Sequence, residues 1–152
     1  IFISDHGEQL WEHNLFLKFI FREASVHVPL FIYDPTFKRG ERSQLVEQVD
    51  LFPTICDLLD LKYPEDLPGS SLVPILNCKN PDEWRNAVFS EIRNDKMIRT
   101  NRWKLNTYNG IPGELFDLKN DKNEFQNLIN KENYLDVQNK LNNRLKNWLK
   151  KT

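Results

Sequence analysis

Apolar residues fall into three patterns along the chain. Residues 1–4 (Ile1-Phe2-Ile3-Ser4) and Val28 to Tyr33 are short, nearly continuous apolar runs. The turn formers Asp5-His6-Gly7 end the first; Pro29 opens the second and Asp34-Pro35 closes it. Runs this apolar suit strands buried on both faces, as in a parallel sheet covered by helices. Over residues 44–61 the period changes: Leu45, Val46, Val49, Phe52, Ile55, Cys56 and Leu59 recur at steps of three and four, which is one face of a helix. Asp50 followed by Pro53 marks a fresh N-cap with proline in the first turn. Residues 62–86 hold Pro64, Pro68, Gly69, Pro74 and Pro81 and read as connector.

Beyond that point the pattern becomes one of short, partly alternating runs: Ala87 to Ile92, Lys96 to Thr100, Trp103 to Tyr108 and Glu114 to Leu118. Asn94-Asp95, Asn101-Arg102 and Asn109-Gly110 separate them, so the segment predicts an antiparallel meander. From about Tyr134 to Lys150, residues Val137, Leu141, Leu145, Trp148 and Leu149 form one apolar stripe of a terminal helix, expected to pack on a core. The fold class is therefore α/β followed by a small antiparallel sheet and a C-terminal helix. The natural division falls near residue 85, giving a first part over 1–85 and a smaller subdomain over 86–152.

Composition narrows the function classes. At 152 residues and 39% hydrophobic, the chain has enough apolar surface for a packed core. Its formal charge of −1 gives no electrostatic case for nucleic acid or an anionic membrane surface. No apolar run approaches the roughly 20 residues of a membrane span. Lys140, Lys146, Lys150 and Lys151 collect where they complement the negative end of the terminal helix dipole. Cys56 and Cys78 make no metal-type pair; Cys56 reads as a buried thiol, and a disulfide between them stays open. The chain does not begin with Met, and Ile1 opens directly into an apolar run, so its start reads as a cut.

The chemistry begins at Asp5-His6-Gly7, at the C-terminal end of the first predicted strand. Open α/β sheets bind ligands at that end, and a carboxylate beside an imidazole can reach one metal ion. Lys18 stands among Leu15, Phe16, Leu17, Phe19, Ile20 and Phe21. Its ammonium either snorkels to water or turns inward to meet an oxyanion. Glu8, Glu12 and His13 lie between these two features. Glu23, Ser25 and His27 precede the second strand, and residue chemistry alone assigns them no role.

The stretch from Ser4 to Lys18 resembles the sulfatase segment SDHGE-x-LGEHGL-x-x-K of the alkaline-phosphatase-like superfamily. Glu23 to Leu30 is similar to that family's E-x-S-x-R-V-P-L run, and Val49 to Ile55 to the helix that follows. Leu67 to Leu72, Arg99 to Lys104 and Gly113 to Leu118 resemble the D-G-x-S-L, R-T-x-R-x-K and G-E-L-Y-D-L blocks, and Asn120-Asp121 with Glu124 to Leu128 continue the pattern. The resemblance implies the C-terminal portion of a sulfatase fold. Residues 1–85 would carry the end of the catalytic domain, with its metal- and sulfate-binding loop.

By the same resemblance Asp5 and His6 are expected to ligate a divalent cation, usually calcium, with manganese or zinc as alternatives for a histidine donor. Lys18 is expected to contact the sulfate near its leaving oxygen, as a catalytic and substrate-binding group, and His13 and His27 are further candidate substrate contacts. Trp11 stands where glycine is common, so the loop backbone is expected to differ there. His27 stands where many members have Arg; iduronate-2-sulfatase-type members are similar in having His before Val-Pro-Leu, which leans toward a sulfated carbohydrate.

No nucleophile is expected in this chain. The family's formylglycine comes from a Cys or Ser segment N-terminal to everything here, and neither Cys56 nor Cys78 has that context. The implied function is sulfate ester hydrolysis by the intact protein, with the fragment alone inactive. A phosphonate monoester or phosphodiester hydrolase, or a non-catalytic metal-binding domain, are the rivals. An extracytoplasmic location follows from resemblance only. An exposed first-strand edge predicts association with the missing N-terminal part or an oligomer.

Overall fold

The computed structural model describes residues 1–77 and 84–150. Cys78 and Pro81 of the connector, and Lys151, lie outside the described residues. The chain forms two units: residues 1–3 with 30–86, and residues 4–29 with 87–152. Each is taken by itself.

In the first unit β1 (Phe2–Ile3) pairs with β4 (Leu30–Phe31) in the register Phe2↔Phe31 and Ile3↔Leu30. The pairing is antiparallel, which corrects the parallel arrangement expected from the continuous apolar runs. Each strand has two residues, too few for the period to distinguish parallel from antiparallel neighbours. Phe2 and Phe31 are also exposed, where burial on both faces was expected.

The helix expected over 44–61 is shorter: a 3-10 turn at Gln48–Asp50 runs into α2 (Leu51–Leu58). Asp50 stands at the start of α2 but does not cap it, which corrects the N-cap expected there: the cap is Glu47, and Asp50 closes a reciprocal box in which the Glu47 and Asp50 side chains each accept the other's backbone N–H. Asp50 is fully buried, and its carboxylate accepts Ser70 N–H at 2.8 Å and Arg85 guanidinium N–H groups at 2.6 and 2.9 Å. Arg85 also meets Glu47 at 2.6 Å, so the buried charge is paired and hydrogen-bonded, the condition for tolerating it. Gly69 lets the following loop run close by: a Cβ there would collide with the Val49 carbonyl. Beyond it, α3 (Val73–Leu76) begins with Pro74 in its first turn.

The second unit is built on a meander of β5 (Val88–Ile92), β6 (Asp95–Arg99), β7 (Trp103–Tyr108) and β8 (Ile111–Asp117), in that spatial order. Asn109 and Gly110 both take positive φ, 50° and 81°, the two-residue turn that matches strand twist. The last helix, α4 (Leu135–Leu149), lays Leu141 and Leu145 onto Ile98, Leu105 and Leu115. Val137 and Trp148 pack at the border of that core, and Trp148 stacks on Phe89 at 4.7 Å. Leu149 is exposed. Also in this unit, β2 (Gln9–Leu10) and β3 (Phe16–Leu17) form a small hairpin, and α1 (Glu23–Val26) is a single turn. Cys56 is buried in α2, and among the described residues no helix is long and apolar enough to cross a membrane.

Leu105 is fully buried at the centre of this core. Leu105→Ala is expected to cost about 2–5 kcal/mol through lost transfer energy and a residual cavity, read from urea unfolding of the protein. A loss under about 1 kcal/mol would mean the sheet–helix core is not closely packed.

Candidate functional site

After β1 the chain bends at once. Ser4 Oγ donates to the His6 carbonyl at 2.7 Å, and His6 N–H donates to Asp5 Oδ1 at 2.9 Å. Gly7 N–H donates to the Ser25 carbonyl at 2.9 Å, docking the turn on α1. A side chain at residue 7 would collide with the Ala24 carbonyl, which explains glycine there.

His6 Nδ1 lies 2.9 Å from the Gly7 carbonyl, which makes Nδ1 the protonated nitrogen and leaves the Nε2 lone pair facing out. Two groups meet that nitrogen. The Lys18 ammonium donates to it at 2.5 Å, and Asp5 Oδ2 lies 3.5 Å away. The three residues singled out from the sequence therefore converge. Lys18 turns onto His6 because β2 and β3 pair Gln9 with Leu17, placing Lys18 opposite Glu8 and close to the Asp5-His6-Gly7 turn.

The donor set suits one side of a cation site. Ca–O distances of about 2.3–2.6 Å put neighbouring donors of an octahedron about 3.3–3.7 Å apart, and the Asp5–His6 separation falls in that range. The imidazole is held by a backbone carbonyl behind it, as metal-ligating histidines are. Among the described residues there is no group of three or more His, Cys, Asp or Glu side chains able to hold a metal. The Nε2 lone pair can serve Lys18 or a cation, one at a time.

The segment carrying these residues is fastened to the meander by a buried charge cluster. Lys104 on β7 is fully buried; its ammonium meets Glu23 at 2.6 Å, Glu124 at 2.8 Å and the Phe21 carbonyl at 2.9 Å. Glu124 also accepts the Glu23 backbone N–H at 2.7 Å. Arg99 reaches Glu23 at 3.2 Å, and Arg22 donates to Glu114 at 2.6 Å and to the Glu124 carbonyl at 2.8 Å. Arg22, Arg99 and Lys104 thus face Glu23, Glu114 and Glu124, three charges of each sign. Burial alone would raise the Glu23 carboxyl, but hydrogen bonds from His27, Lys104 and Arg99 outweigh it and hold the group well below the usual carboxylate range. Burial, then the hydrogen bond to Glu114, pushes the Tyr108 phenol up.

The other two candidates lie apart from the trio's contacts. The His27 side chain is 73% exposed, and its Nδ1 lies 3.4 Å from Glu23 one helical turn back. His13, at the hairpin tip, packs against Phe125 with ring centroids 4.9 Å apart and the rings tilted by 48°. Sequence reasoning gave no part to Lys104, Arg22 or Glu124. The signal was a lysine inside an apolar strand, in the run Trp103-Lys104-Leu105, with a carboxylate needed to match it. Trp11, at the position where glycine is common in the family it resembles, adopts φ 80° and ψ 1°, the left-handed conformation natural to glycine, so an indole is carried on a glycine-type backbone.

Comparison with known proteins places this fold and geometry. The family model described as N-sulphoglucosamine sulphohydrolase, C-terminal, matches residues 11–151, and the chain belongs to that sulfatase family. Arylsulfatase K of Homo sapiens is 37% identical over 144 residues, covering 84% of this chain and 27% of its own length. A protein solved in complex with its substrate D-glucosamine-2-N,6-O-disulfate superposes with TM-score 0.85 at 31% identity, over 98% of this chain and 33% of that one. Phosphonate monoester hydrolase of Agrobacterium radiobacter gives TM-score 0.80 at 30% identity, over 94% of this chain and 33% of that one. The chain thus spans about a third or less of the proteins it matches.

Two outcomes follow from the charge cluster. Lys104→Met strands Glu23 and Glu124 without their buried cation and is expected to cost about 3–5 kcal/mol, read as a lower urea midpoint; a neutral result would mean the cluster contributes nothing net. The lowered Glu23 carboxyl contributes stability that is complete above its ordinary value of 4.5 and is lost as pH falls toward its lower folded value. Glu23→Gln should therefore be less stable than the parent at neutral pH, the gap narrowing below about pH 4. A gap that does not depend on pH would contradict the assignment.

Proposed function

We propose that the full-length protein hydrolyses sulfate esters, and that Lys18, His6 and Asp5 are this chain's share of the site. The observation that carries the reading is their convergence at one turn: the ammonium on His6 Nε2 and a carboxylate oxygen 3.5 Å from the same atom. Membership of the sulfatase family supports the reaction type. Asp5 and His6 would hold a divalent cation, with calcium favoured by the carboxylate and manganese or zinc by the imidazole; the remaining donors would come from elsewhere in the protein. Such a cation would neutralise charge on the oxygens of the transferring group, and a formylglycine outside this chain would supply the nucleophile.

The chain's own contribution is positional and electrostatic. Lys18 leaves His6 and donates to the sulfate, its ammonium countering the negative charge that grows on the leaving oxygen. Nδ1–H···O=C bonding to Gly7 holds the imidazole so that Nε2 stays an acceptor. His27 and His13, outside the trio, are candidates for contacts to the alcohol part of the substrate. A sulfated carbohydrate is the substrate class proposed, supported by the substrate of the disulfated-glucosamine complex, and an extracytoplasmic location goes with it.

Phosphonate ester hydrolysis is the second reading, favoured by the Agrobacterium radiobacter likeness. The two are separated by assaying full-length protein on p-nitrophenyl sulfate, a sulfated glucosamine and a phosphonate monoester. Sulfate turnover should exceed phosphonate turnover, and Lys18→Ala should lower kcat/KM on the sulfate by about 10²–10³-fold. Faster phosphonate turnover would transfer the site to the rival chemistry. No turnover of any ester by metal-loaded protein would leave a non-catalytic domain.

A further inference from the structure

We propose that Trp11 is a specificity-determining platform on which a second sugar ring stacks, next to the ring that bears the scissile sulfate. The proposal rests on the sulfatase reading above. Trp11 is 71% exposed and is carried by a loop under backbone strain. Trp11, His13, Asn14 and Leu17 all take positive φ, at 80°, 59°, 56° and 86°, and none is glycine. Each such residue costs about 1–3 kcal/mol and persists where its surroundings hold it, commonly at ligand-binding sites.

The surroundings here do hold it. Trp11 N–H donates to the Leu15 carbonyl at 3.0 Å, Asn14 N–H to the Trp11 carbonyl at 3.1 Å, and Leu10 N–H to the Glu12 carboxylate at 2.5 Å. His13 packs against Phe125, whose neighbour Glu124 is locked to Lys104. The indole leans on Phe16 at 5.6 Å with the rings tilted by 44°. The platform is thus preorganised, so little ordering cost remains when a ligand settles on it.

Its place along the hairpin selects the ligand. The register Gln9↔Leu17 sets Glu8 opposite Lys18, and Trp11, just past the end of β2, is three residues along the chain from that level. At ~3.3 Å per extended residue that is at most about 10 Å of backbone, within the reach of a disaccharide and beyond that of one sugar at its upper end. A sulfated ring held at Lys18 would bring its linked neighbour to the indole. The C–H face of a pyranose suits a broad aromatic surface, and its hydroxyl groups stay in water.

The test uses full-length Trp11→Gly, because glycine takes this φ without strain and the loop backbone is kept. With a sulfated disaccharide and the matching sulfated monosaccharide as substrates, the ratio of their KM values, disaccharide over monosaccharide, should rise about five- to tenfold, and Trp11→Phe should restore most of it. An unchanged ratio overturns the proposal. If it comes with a lower Tm, Trp11 instead packs against another part of the protein. The same ratio is read in Kd by calorimetry. A parent protein that binds both sugars but turns over neither therefore counts against the sulfatase reading alone, and binding decides the platform. A parent that binds neither sugar removes both.

Discussion

Lys104 is the point on which the second unit turns. A fully buried ammonium is tolerated only where carboxylates and carbonyls surround it, and here those partners come from two stretches of chain distant from the lysine's own strand: Phe21 with Glu23, and Glu124. Satisfying one charge thereby joins the segment 4–29 to the meander. Glu23 opens α1, and α1 receives the Gly7 turn through the Ser25 carbonyl. Asp5, His6 and Lys18 are therefore placed by a charge that touches none of them.

The same turn that carries Glu124 also presents Phe125 to His13. The segment is pinned at two points by adjacent residues, once through buried charge and once through an aromatic contact at the hairpin tip. Between those points lie Asn14 and Leu17, two of the strained residues, and the lysine. Rigidity there is useful for the chemistry proposed, because an ammonium serves an anion best when it is positioned before the anion arrives.

Much of the framework could be read in the sequence. Alternation and the Asn109-Gly110 turn identified the meander, and the stripe through Leu141 and Leu145 identified α4 within a residue or two. Asp50 and Pro53 located the start of α2 but not its cap, which is Glu47, three residues earlier. The antiparallel pairing of β1 and β4 was hidden, since two-residue strands leave too little pattern to set direction. Asp5, His6 and Lys18 stood out by residue type and by resemblance to sulfatases. The Lys104 cluster did not, because its members are distant in sequence and a charged residue inside a strand looks solvent-facing until its partners are located. The Trp11 conformation was hidden for a related reason: φ is set by the hairpin closure, not by the residue.

The most direct measurement is a crystal structure of the full-length protein with calcium and bound sulfate, the cation located by its anomalous signal. The cation is expected on Asp5 and His6 Nε2, and the Lys18 ammonium moved off His6 to a sulfate oxygen. Sulfate bound elsewhere, with Lys18 still on His6 and no cation beside Asp5, would contradict it.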